Sequence, residues 1–491
     1  MWDKDSLRQT LAEKVGDNLF VVVSNREPYI HSWREGKITV SRPASGLVTA
    51  IDPMLRASQG IWVAHGSGNA DRSVVDDKGR IKVPPGKELY TLRRVWLTKE
   101  EELGYYYGLA NETLWPLCHV AYARPTFSLP DWEMYKKVNQ RFADVVLDEI
   151  GDRKAFVWVQ DYHFALLPAM LKKARPDLMV AQFWHIPWPN PEIFRICPWS
   201  QEIIEGMLGN DLLGFHIRWH CDNFMNTVDL TLEARVDRES STVFHHGGLS
   251  TKVMPFPISV DFSQIDEDAQ QDFSGNETVS DIMDLLPLKY EVMVLGIDRI
   301  DYTKGIPERL KAIDRYLEKH PEMIEKFLFV QIGSLSRIHI DLYKQLNDEI
   351  NRMVEEINWK YSTENWQPIV MLRRGLVYPE ILAFYRMAKV CIVSSLHDGM
   401  NLVAKEYIAS CSGGDGALVL SRFTGASREL DKGAIVINPY DTEAFADAIH
   451  EAISMTEEER SGKMEKLRSI VSEYNIYRWA AKFISELSKI A

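Results

Sequence analysis

Short apolar runs rich in β-branched residues recur along this chain, spaced so that a helix fits between successive runs, and they come in two series. The first comprises Leu19–Ser24 (LFVVVS), Phe156–Val159 (FVWV), Val180–Phe183 (VAQF) and Leu212–Phe215 (LLGF), alternating with helix-like stretches such as Trp132–Ile150 and Ser200–Met207. The second comprises Val292–Gly296 (VMVLG), Phe327–Ile332 (FLFVQI), Ile369–Leu372 (IVML), Val390–Val393 (VCIV) and Ala417–Leu420 (ALVL), with helical segments at Glu308–Lys319 and Asp341–Ile357. Residues 435–437 (IVI) add a last strand, and Asp441–Ser454 and Met464–Ile490 read as terminal helices. Near-continuous apolar strands alternating with helices specify parallel sheet covered on both faces. At 491 residues the chain exceeds one ordinary core, so the expectation is α/β, with two doubly wound domains facing across a deep cleft. The two-proline stretch Val253–Ile258 (VMPFPI) suits the connection between them. Ligands of such sheets bind beyond the carboxyl ends of the strands.

Charge and cysteine content narrow the function classes. Lys and Arg number 57 against 70 Asp and Glu, a formal charge of −13, which argues against a general polyanion-binding surface and so against a nucleic-acid partner. No apolar run approaches the ~18 residues that span a bilayer, and the start MWDKDSLRQT lacks an apolar signal region. The five cysteines (118, 197, 221, 391 and 411) include no CxxC pair, which fits a reduced, cytoplasmic protein with no disulfide framework or zinc cluster. No metal ligand set is visible.

The strand ends carry the chemistry. Asp298-Arg299-Ile300-Asp301-Tyr302-Thr303-Lys304-Gly305 follows the VMVLG strand and precedes a helix opened by Pro307. Arg299 offers a fork and Lys304 a point charge, and a flexible glycine lets both converge on one phosphate pair. A solvated loop with surface ion pairs would explain an isolated RxxxxK; the strand-to-helix position favours an anion site. Asp398-Gly399-Met400-Asn401-Leu402-Val403-Ala404-Lys405-Glu406 follows the VCIV strand. Gly399 permits a sharp turn, the following amides form a helix-start anion site, and Glu406 lies where a carboxylate can hold a ribose diol. The simpler alternative is a helix capped by Asp398 with Glu406 facing solvent. Together with the Arg/Lys loop, a nucleotide-sugar diphosphate site is the better account. In the first half, Ser24-Asn25-Arg26-Glu27, Gln160-Asp161-Tyr162-His163 and His185-Ile186-Pro187-Trp188-Pro189 each end a strand. Ala44-Ser45-Gly46-Leu47 is a small-residue turn before a helix, and Tyr106 and Trp115 sit in YYYGLANETLWP.

These strings (SNRE at 24–27, LWP at 114–116, DYH at 161–163, HIPWP at 185–189, RIDYTKG at 299–305, DGMNLVAKEY at 398–407 and LSRFTGASREL at 420–430) resemble the trehalose-6-phosphate synthase family of retaining glycosyltransferases. The resemblance covers residues 19–485 and implies a GT-B fold of two Rossmann-like domains. Residues 1–258 would form the acceptor-binding domain and 259–475 the nucleotide-sugar-binding domain, with a helix at 476–491 crossing back to the first. It implies that Arg299 and Lys304 clamp the donor diphosphate. Gly46, Gly399 and the backbone at Met400, Asn401, Leu402 and Val403 would cradle phosphates and sugar, and Glu406 would hold the ribose. Asp398 and His185 would contact the transferred glucose. Arg26, Tyr106, Trp115 and Arg337 (in QIGSLSR) would form the acceptor-phosphate pocket, and Asp161 would touch acceptor hydroxyls. Arg299, Lys304, Asp161, His185 and Asp398 are the expected catalytic set.

Three positions depart from the family pattern: Ser45 where the family has a second glycine, Gln160 where it has histidine, and His397 where it commonly has arginine. REPY at 26–29 also resembles the sister enzymes that make glucosylglycerol phosphate. The expected activity is transfer of glucose from an NDP-glucose, taken as UDP-glucose, to glucose 6-phosphate with retention, giving trehalose 6-phosphate for osmolyte synthesis. No cofactor is expected beyond that donor substrate, and a homo-oligomer is compatible with the sequence. Glycerol 3-phosphate as acceptor and a non-catalytic sugar-phosphate sensor on the same fold are the alternatives.

Overall fold

The computed structural model describes all residues other than 1, 44, 45, 246, 247, 274, 288, 336, 338 and 491, and the side chains of 46, 47, 49 and 50 are likewise left aside. The chain divides into two compact units, Trp2–Ile258 joined by the segment from Ile476 onward, and Ser259–Asn475. No helix among the described residues is long and apolar enough to cross a membrane.

Numbered in chain order, the strands of the first unit are β1 (Leu19–Ser24), β2 (Ile30–Arg34), β3 (Lys37–Ser41), β4 (Ile61–His65), β5 (Arg80–Val83), β6 (Tyr90–Val95), β7 (Ala155–Gln160), β8 (Met179–Phe183), β9 (Leu212–Phe215), β10 (Arg235–Asp237), β11 (Thr242–His245) and β12 (Leu249–Pro255). Ten of them form one sheet in the order β10-β11-β12-β9-β8-β7-β1-β4-β6-β5, and β2 and β3 pair as a separate hairpin. From β12 to β6 the pairing is parallel; at the edges β5 pairs antiparallel with β6, β11 with β12, and β10 with β11. Val21, Val22 and Val23 are fully buried, as a strand covered on both faces requires. The C-terminal helix Ile476–Ser488 belongs to this unit: Phe483 stacks on Trp158 with ring centres 4.5 Å apart, and Trp479 Nε1 donates to the Phe256 carbonyl at 3.1 Å. Gly214 makes that packing feasible, because a Cβ there would lie 2.8 Å from both Phe183 and Phe483.

The second unit holds β13 (Val292–Arg299), β14 (Phe327–Ser334), β15 (Ile369–Leu372), β16 (Val390–Val393), β17 (Ala417–Ser421) and β18 (Ile435–Ile437). They form a parallel sheet in the order β15-β14-β13-β16-β17-β18. On one side its core packs Leu310, Ile313 and Tyr316 of the helix Ile306–Lys319 with Phe445 and Ile449 of Thr442–Ser454.

Both sheets start in the middle and build outward first one way, then the other. The order reverses between β1 and β7 in the first unit and between β13 and β16 in the second. At such a switch point the connections leave in opposite directions and open a crevice beyond the strand ends.

Several features differ from the sequence expectation. The hairpin β2–β3 and strands β5, β6, β10 and β11 carry too many polar residues, or are too short, to stand out as apolar runs, whereas β4 (IWVAH) is an apolar run that the first series did not include. Met464–Ile490 is two helices, Glu457–Glu473 and Ile476–Ser488, broken at Tyr474-Asn475. Val253-Met254-Pro255 ends β12 rather than lying outside the sheet, since a proline is tolerated at a strand terminus.

Candidate active site

The second unit places its charged residues at the β13/β16 switch point. Arg299 is the last residue of β13, paired in register with Ser334 of β14. The chain then turns through Tyr302–Lys304 into the helix Ile306–Lys319. Gly305 is obligatory in that turn: its φ is +61°, and a Cβ would fall 2.2 Å from the Ser394 carbonyl oxygen. The close approach of the two loops brings Lys304 Nζ to 2.5 Å from Asp398 Oδ2 across 94 residues of sequence. Ser395 Oγ and Asn401 Nδ2 donate to the same carboxylate oxygen at 3.2 and 3.3 Å.

Behind this pair lie two buried anchors. Arg309, fully buried, donates to Asp298 Oδ2 (2.8 Å), Gln331 Oε1 (2.6 Å) and Ser394 Oγ (3.0 Å), tying together β13, β14 and the segment after β16. Burial raises the Asp298 carboxyl against the pull of Arg309 and Lys304. Asp301, also fully buried, accepts from Thr303 N and Oγ1 at 3.0 and 2.9 Å. Its other oxygen takes the Tyr343 hydroxyl at 3.2 Å and lies 3.5 Å from Arg337 Nη1 and 3.8 Å from Arg299 Nη2. Burial would raise this carboxyl, but Arg337, Arg299 and Lys304 together hold it below its ordinary value. Arg337 has φ +51° and also donates to Tyr343 at 2.6 Å. Arg299 from the end of β13, Lys304 from the turn after it and Arg337 from the segment after β14 thus all act on Asp301.

The helix Leu402–Ser410 begins directly after Asn401, whose φ of +110° and ψ of +100° are strained for a residue with a side chain. Asn401, not Asp398, is the cap: its Oδ1 accepts from Ala404 N at 3.2 Å. Asp398 is left to Lys304. The amides of Leu402 and Val403 stand in the first turn, where a helix supplies no acceptor of its own. Gly425 permits the Gly399-Met400 turn to sit close, since a Cβ there would lie 2.0 Å from the Gly399 carbonyl oxygen. Met400 is buried beneath it. Glu406 is half-buried rather than facing solvent; Tyr385 donates to its Oε2 at 3.0 Å, and burial pushes its carboxyl up to about 7 despite that hydrogen bond. Lys405 points the other way, paired with Glu429 at 2.7 Å.

In the first unit the β1/β7 switch point carries Asn25-Arg26-Glu27 on one side and Asp161 on the other. A cavity of about 230 Å³ opens beside β1, lined by Asn25, Arg26, Glu27, His65, Tyr105 and Tyr106 among others. Arg26 is exposed and makes no ion pair among the described residues. Tyr106 comes from Leu103–Leu114, a wide helix with a Trp115 N to Ala110 O bond spanning five residues. Its ring stacks on His163 at 5.7 Å and 9°. Glycines let this helix lie tight on Leu129–Ile150: a Cβ at Gly108 would fall 2.4 Å from the Asp131 carboxyl carbon. Trp115 does not line the cavity; it packs on His119 and Tyr162, ring centres 4.0 and 5.9 Å away.

Asp161 adopts φ +72°, and its Oδ1 accepts from Tyr162 N at 2.9 Å and His185 N at 3.2 Å. His185 Nε2 lies 3.0 Å from Gln160 Oε1, so the glutamine that departs from the family pattern braces this ring. Burial alone lowers the His185 imidazole to about 3, which keeps it neutral near pH 7. Gly46 opens the helix Gly46–Ser58, and Ser45 lies outside the described residues.

Sequence reading passed over one group entirely. Arg94 and Asp71 are fully buried behind the cavity, with Glu27 and His31 nearly so. Arg94 Nε donates to Glu27 Oε2 at 2.7 Å and Arg94 Nη2 lies 2.8 Å from Asp71 Oδ1. The adjacent cavity residue His65 is lowered to about 4 by burial, opposed by Asp71. Arg94 lies in a stretch that no apolar run marks; the Glu27 that ends the SNRE string after β1 was the available signal.

The profile of glycosyltransferase family 20 matches residues 18–489. A trehalose-6-phosphate synthase of Mycobacterium bovis is 38% identical over 487 residues, 97% of this chain and 96% of that protein. One of Mycobacterium leprae is 38% identical over 483 residues, 97% and 95% of the two chains. Among solved structures, one from E. coli described as bound with UDP-2-fluoro glucose superposes with a TM-score of 0.85 at 29% identity, over 96% of this chain and 99% of that one. An α,α-trehalose-phosphate synthase (UDP-forming) of Burkholderia xenovorans in complex with glucose-6-phosphate gives a TM-score of 0.84 at 28% identity, over 95% and 99%. The fold is GT-B. With its switch-point motifs and a match spanning nearly its whole length, the chain belongs to glycosyltransferase family 20.

Proposed function

We propose that this enzyme moves glucose from UDP-glucose to glucose 6-phosphate with retention, giving trehalose 6-phosphate. The observation that carries the reading is the meeting of Lys304 and Asp398 at the β13/β16 switch point, with Arg299 and a helix start alongside. The relatives' names and the two ligands in the solved structures give the same donor and acceptor.

The second unit would hold the donor. Arg299, Lys304 and the amides of Leu402 and Val403 would face the diphosphate, while Glu406 in its charged form would accept from the ribose hydroxyls. Gly399, Met400 and Asn401 would shape the phosphate and sugar cradle. Asp398 would take a glucose hydroxyl, its geometry fixed by Lys304, Ser395 and Asn401. The first unit would supply Arg26 to the acceptor phosphate, Tyr106 to the pyranose ring and Asp161 to acceptor hydroxyls, with Trp115 supporting the aromatic wall. In the second unit, Arg337 is the cation proposed for an acceptor phosphate. Neutral His185 would serve as a hydrogen-bonding partner of the transferred sugar, not as an acid.

In the transfer, the bond from the glucose C1 to the diphosphate oxygen breaks and a bond from C1 to the acceptor oxygen forms on the same face. The acceptor hydroxyl's proton passes to the departing diphosphate. No protein nucleophile takes part. Catalysis then rests on positioning and on charge facing the leaving diphosphate, the role of Arg299 and Lys304.

Glycerol 3-phosphate remains the second reading, carried by REPY at 26–29; the aromatic wall of the cavity favours a sugar ring. A matrix of NDP-glucose donors against glucose 6-phosphate and glycerol 3-phosphate tests both, read as nucleoside diphosphate released and product anomericity. UDP-glucose with glucose 6-phosphate should give the highest kcat/KM. A preference for glycerol 3-phosphate overturns the acceptor, and absence of release with every pair overturns the enzyme in favour of a sensor.

A further inference from the structure

The cluster behind the first unit's cavity is more elaborate than a fold needs. Two carboxylates, Glu27 and Asp71, share one fully buried guanidinium. The Tyr29 carbonyl accepts from Arg94 Nη2 at 2.9 Å, and His31 Nδ1 lies 2.8 Å from the same atom. Asp71 is fully committed: His31 N donates to Oδ1 at 2.8 Å and Gly68 N to Oδ2 at 2.6 Å. Glu27 is different, because it both contacts Arg94 and lines the cavity. Its Oε1 accepts from Ser67 N and Ser67 Oγ at 2.8 and 3.0 Å, and Ser67 lines the cavity too.

The sequence neighbour of Glu27 is Arg26, the exposed cation of that cavity. We propose that Glu27 sets the charge of the acceptor pocket: Arg94 pins its carboxyl into the wall beside Arg26, and when Glu27 is neutral the pocket receives a phosphorylated acceptor that it repels when Glu27 is ionised. This rests on reading the cavity as the acceptor pocket.

Three facing groups fix the charge balance. Asp71 keeps its charge, held down to about 2: burial raises it, but hydrogen bonds from His31 and Glu27 and the charge of Arg94 outweigh that. His65, on β4, is neutral above its value of about 4. Arg94 lies between the two carboxyls. Burial and the hydrogen bond with Asp71 push Glu27 up to about 7, against the pull of Arg94. Arg26 and Glu102 also line the cavity. Like charge in a partly desolvated pocket is costly at short range. Between pH 7 and 9 a sugar phosphate is already largely dianionic, so a change in its affinity over that range reports the protein.

The test is calorimetric binding of glucose 6-phosphate to the full chain, with UDP present, from pH 7 to pH 9, for the parent and for Glu27→Gln. The parent should lose roughly tenfold in affinity over this range, the effect of one unit charge nearby. Glu27→Gln, permanently neutral, should bind with the same affinity throughout. Parallel curves for the two proteins, or a flat parent, overturn the proposal; a merely structural glutamate would not change the pH profile. Should Glu27→Gln fail to fold, glucose and glucose 6-phosphate are compared on the parent. Loss for the phosphate alone supports the charge effect, and equal loss for both overturns it. The same curves with glycerol 3-phosphate report Glu27 if that is the acceptor. Binding that follows Glu27 while UDP-glucose and glucose 6-phosphate together release no UDP in the donor–acceptor assay would sink the proposed transfer and leave this inference standing.

Discussion

Glu27 in the first unit and Glu406 in the second both have carboxyls pushed up to about 7, yet by different surroundings. Burial acts on both. Glu27 also faces a second carboxylate, Asp71, across a shared arginine, whereas Glu406 takes a hydrogen bond from the Tyr385 hydroxyl. Under the proposed roles the same titration point would serve opposite ends: a phosphate in the first unit would be best met by the neutral acid, and a ribose diol in the second by the carboxylate. A donor-like and an acceptor-like pocket can therefore be told apart by which form of a buried glutamate each requires. The units also differ in where they keep their cations. The second gathers Arg299, Lys304 and Arg337 around Asp301, while the first exposes Arg26 and buries Arg94.

The severest break falls on the buried arginine. Arg94→Met leaves Glu27 and Asp71 without their shared partner, and stability should fall by about 3–5 kcal/mol, read as a lower urea midpoint. A loss below ~1 kcal/mol would mean the two carboxylates relax by protonation, and the contrast with Glu406 would disappear. Next is Lys304→Ala. Removing one preorganised charge from the leaving diphosphate costs ~3–4 kcal/mol, so turnover should drop by at least about a hundredfold with the circular dichroism spectrum unchanged. Parent-like turnover in that folded variant removes the diphosphate clamp. Arg337→Ala should weaken acceptor binding by about 1.5–3 kcal/mol, raising KM for glucose 6-phosphate far more than for UDP-glucose; equal changes would make Arg337 a support of Asp301 and nothing more.

The smallest effect is the one that sets the two glutamates directly against each other. Glu406 has a folded value of about 7, above its ordinary 4.5, so its carboxylate form is lost as pH falls through 7. KM for UDP-glucose should rise by up to about tenfold between pH 7.5 and pH 6, and Glu406→Gln should hold the high value at every pH. The sign for the unliganded fold is reversed. A carboxyl whose folded value is raised binds its proton more tightly when folded, so stability declines as pH climbs from about 4.5 to about 7. Donor affinity falling with rising pH would remove Glu406 from the ribose.

Much of the second unit was legible in the primary structure because its motifs are contiguous. RIDYTKG and DGMN each follow an apolar strand and precede a helix, so strand, turn and charged groups can be read in one pass. The glycine of RIDYTKG has a steric reason that local sequence already hints at, shown by the +61° φ of Gly305. The simpler alternative, a helix capped by Asp398, is replaced by a cap three residues on at Asn401; the two are equally good capping types, and the Lys304 contact takes Asp398 away. The first unit was harder. Arg94 sits 67 positions from Glu27 and 23 from Asp71, and nothing local distinguishes a buried arginine from an exposed one. The family resemblance grouped Trp115 with Tyr106, but their rings have different surroundings, Tyr106 stacked on His163 and Trp115 packed on His119.

The alternation of apolar runs with helical spacers determined by itself that this chain folds as two parallel α/β sheets, because a strand buried on both faces must be apolar throughout. It also determined that chemistry collects at strand ends, where the backbone turns and polar side chains escape the core. Strand order was decided only in the tertiary structure. Both switch points, and the cavity beside β1, depend on which strands pair, and pairing is settled by packing among residues far apart in the chain. Charge state was decided there as well: a glutamate's titration depends on what it is buried against, and for Glu27 that is an arginine and an aspartate brought from β6 and the turn after β4.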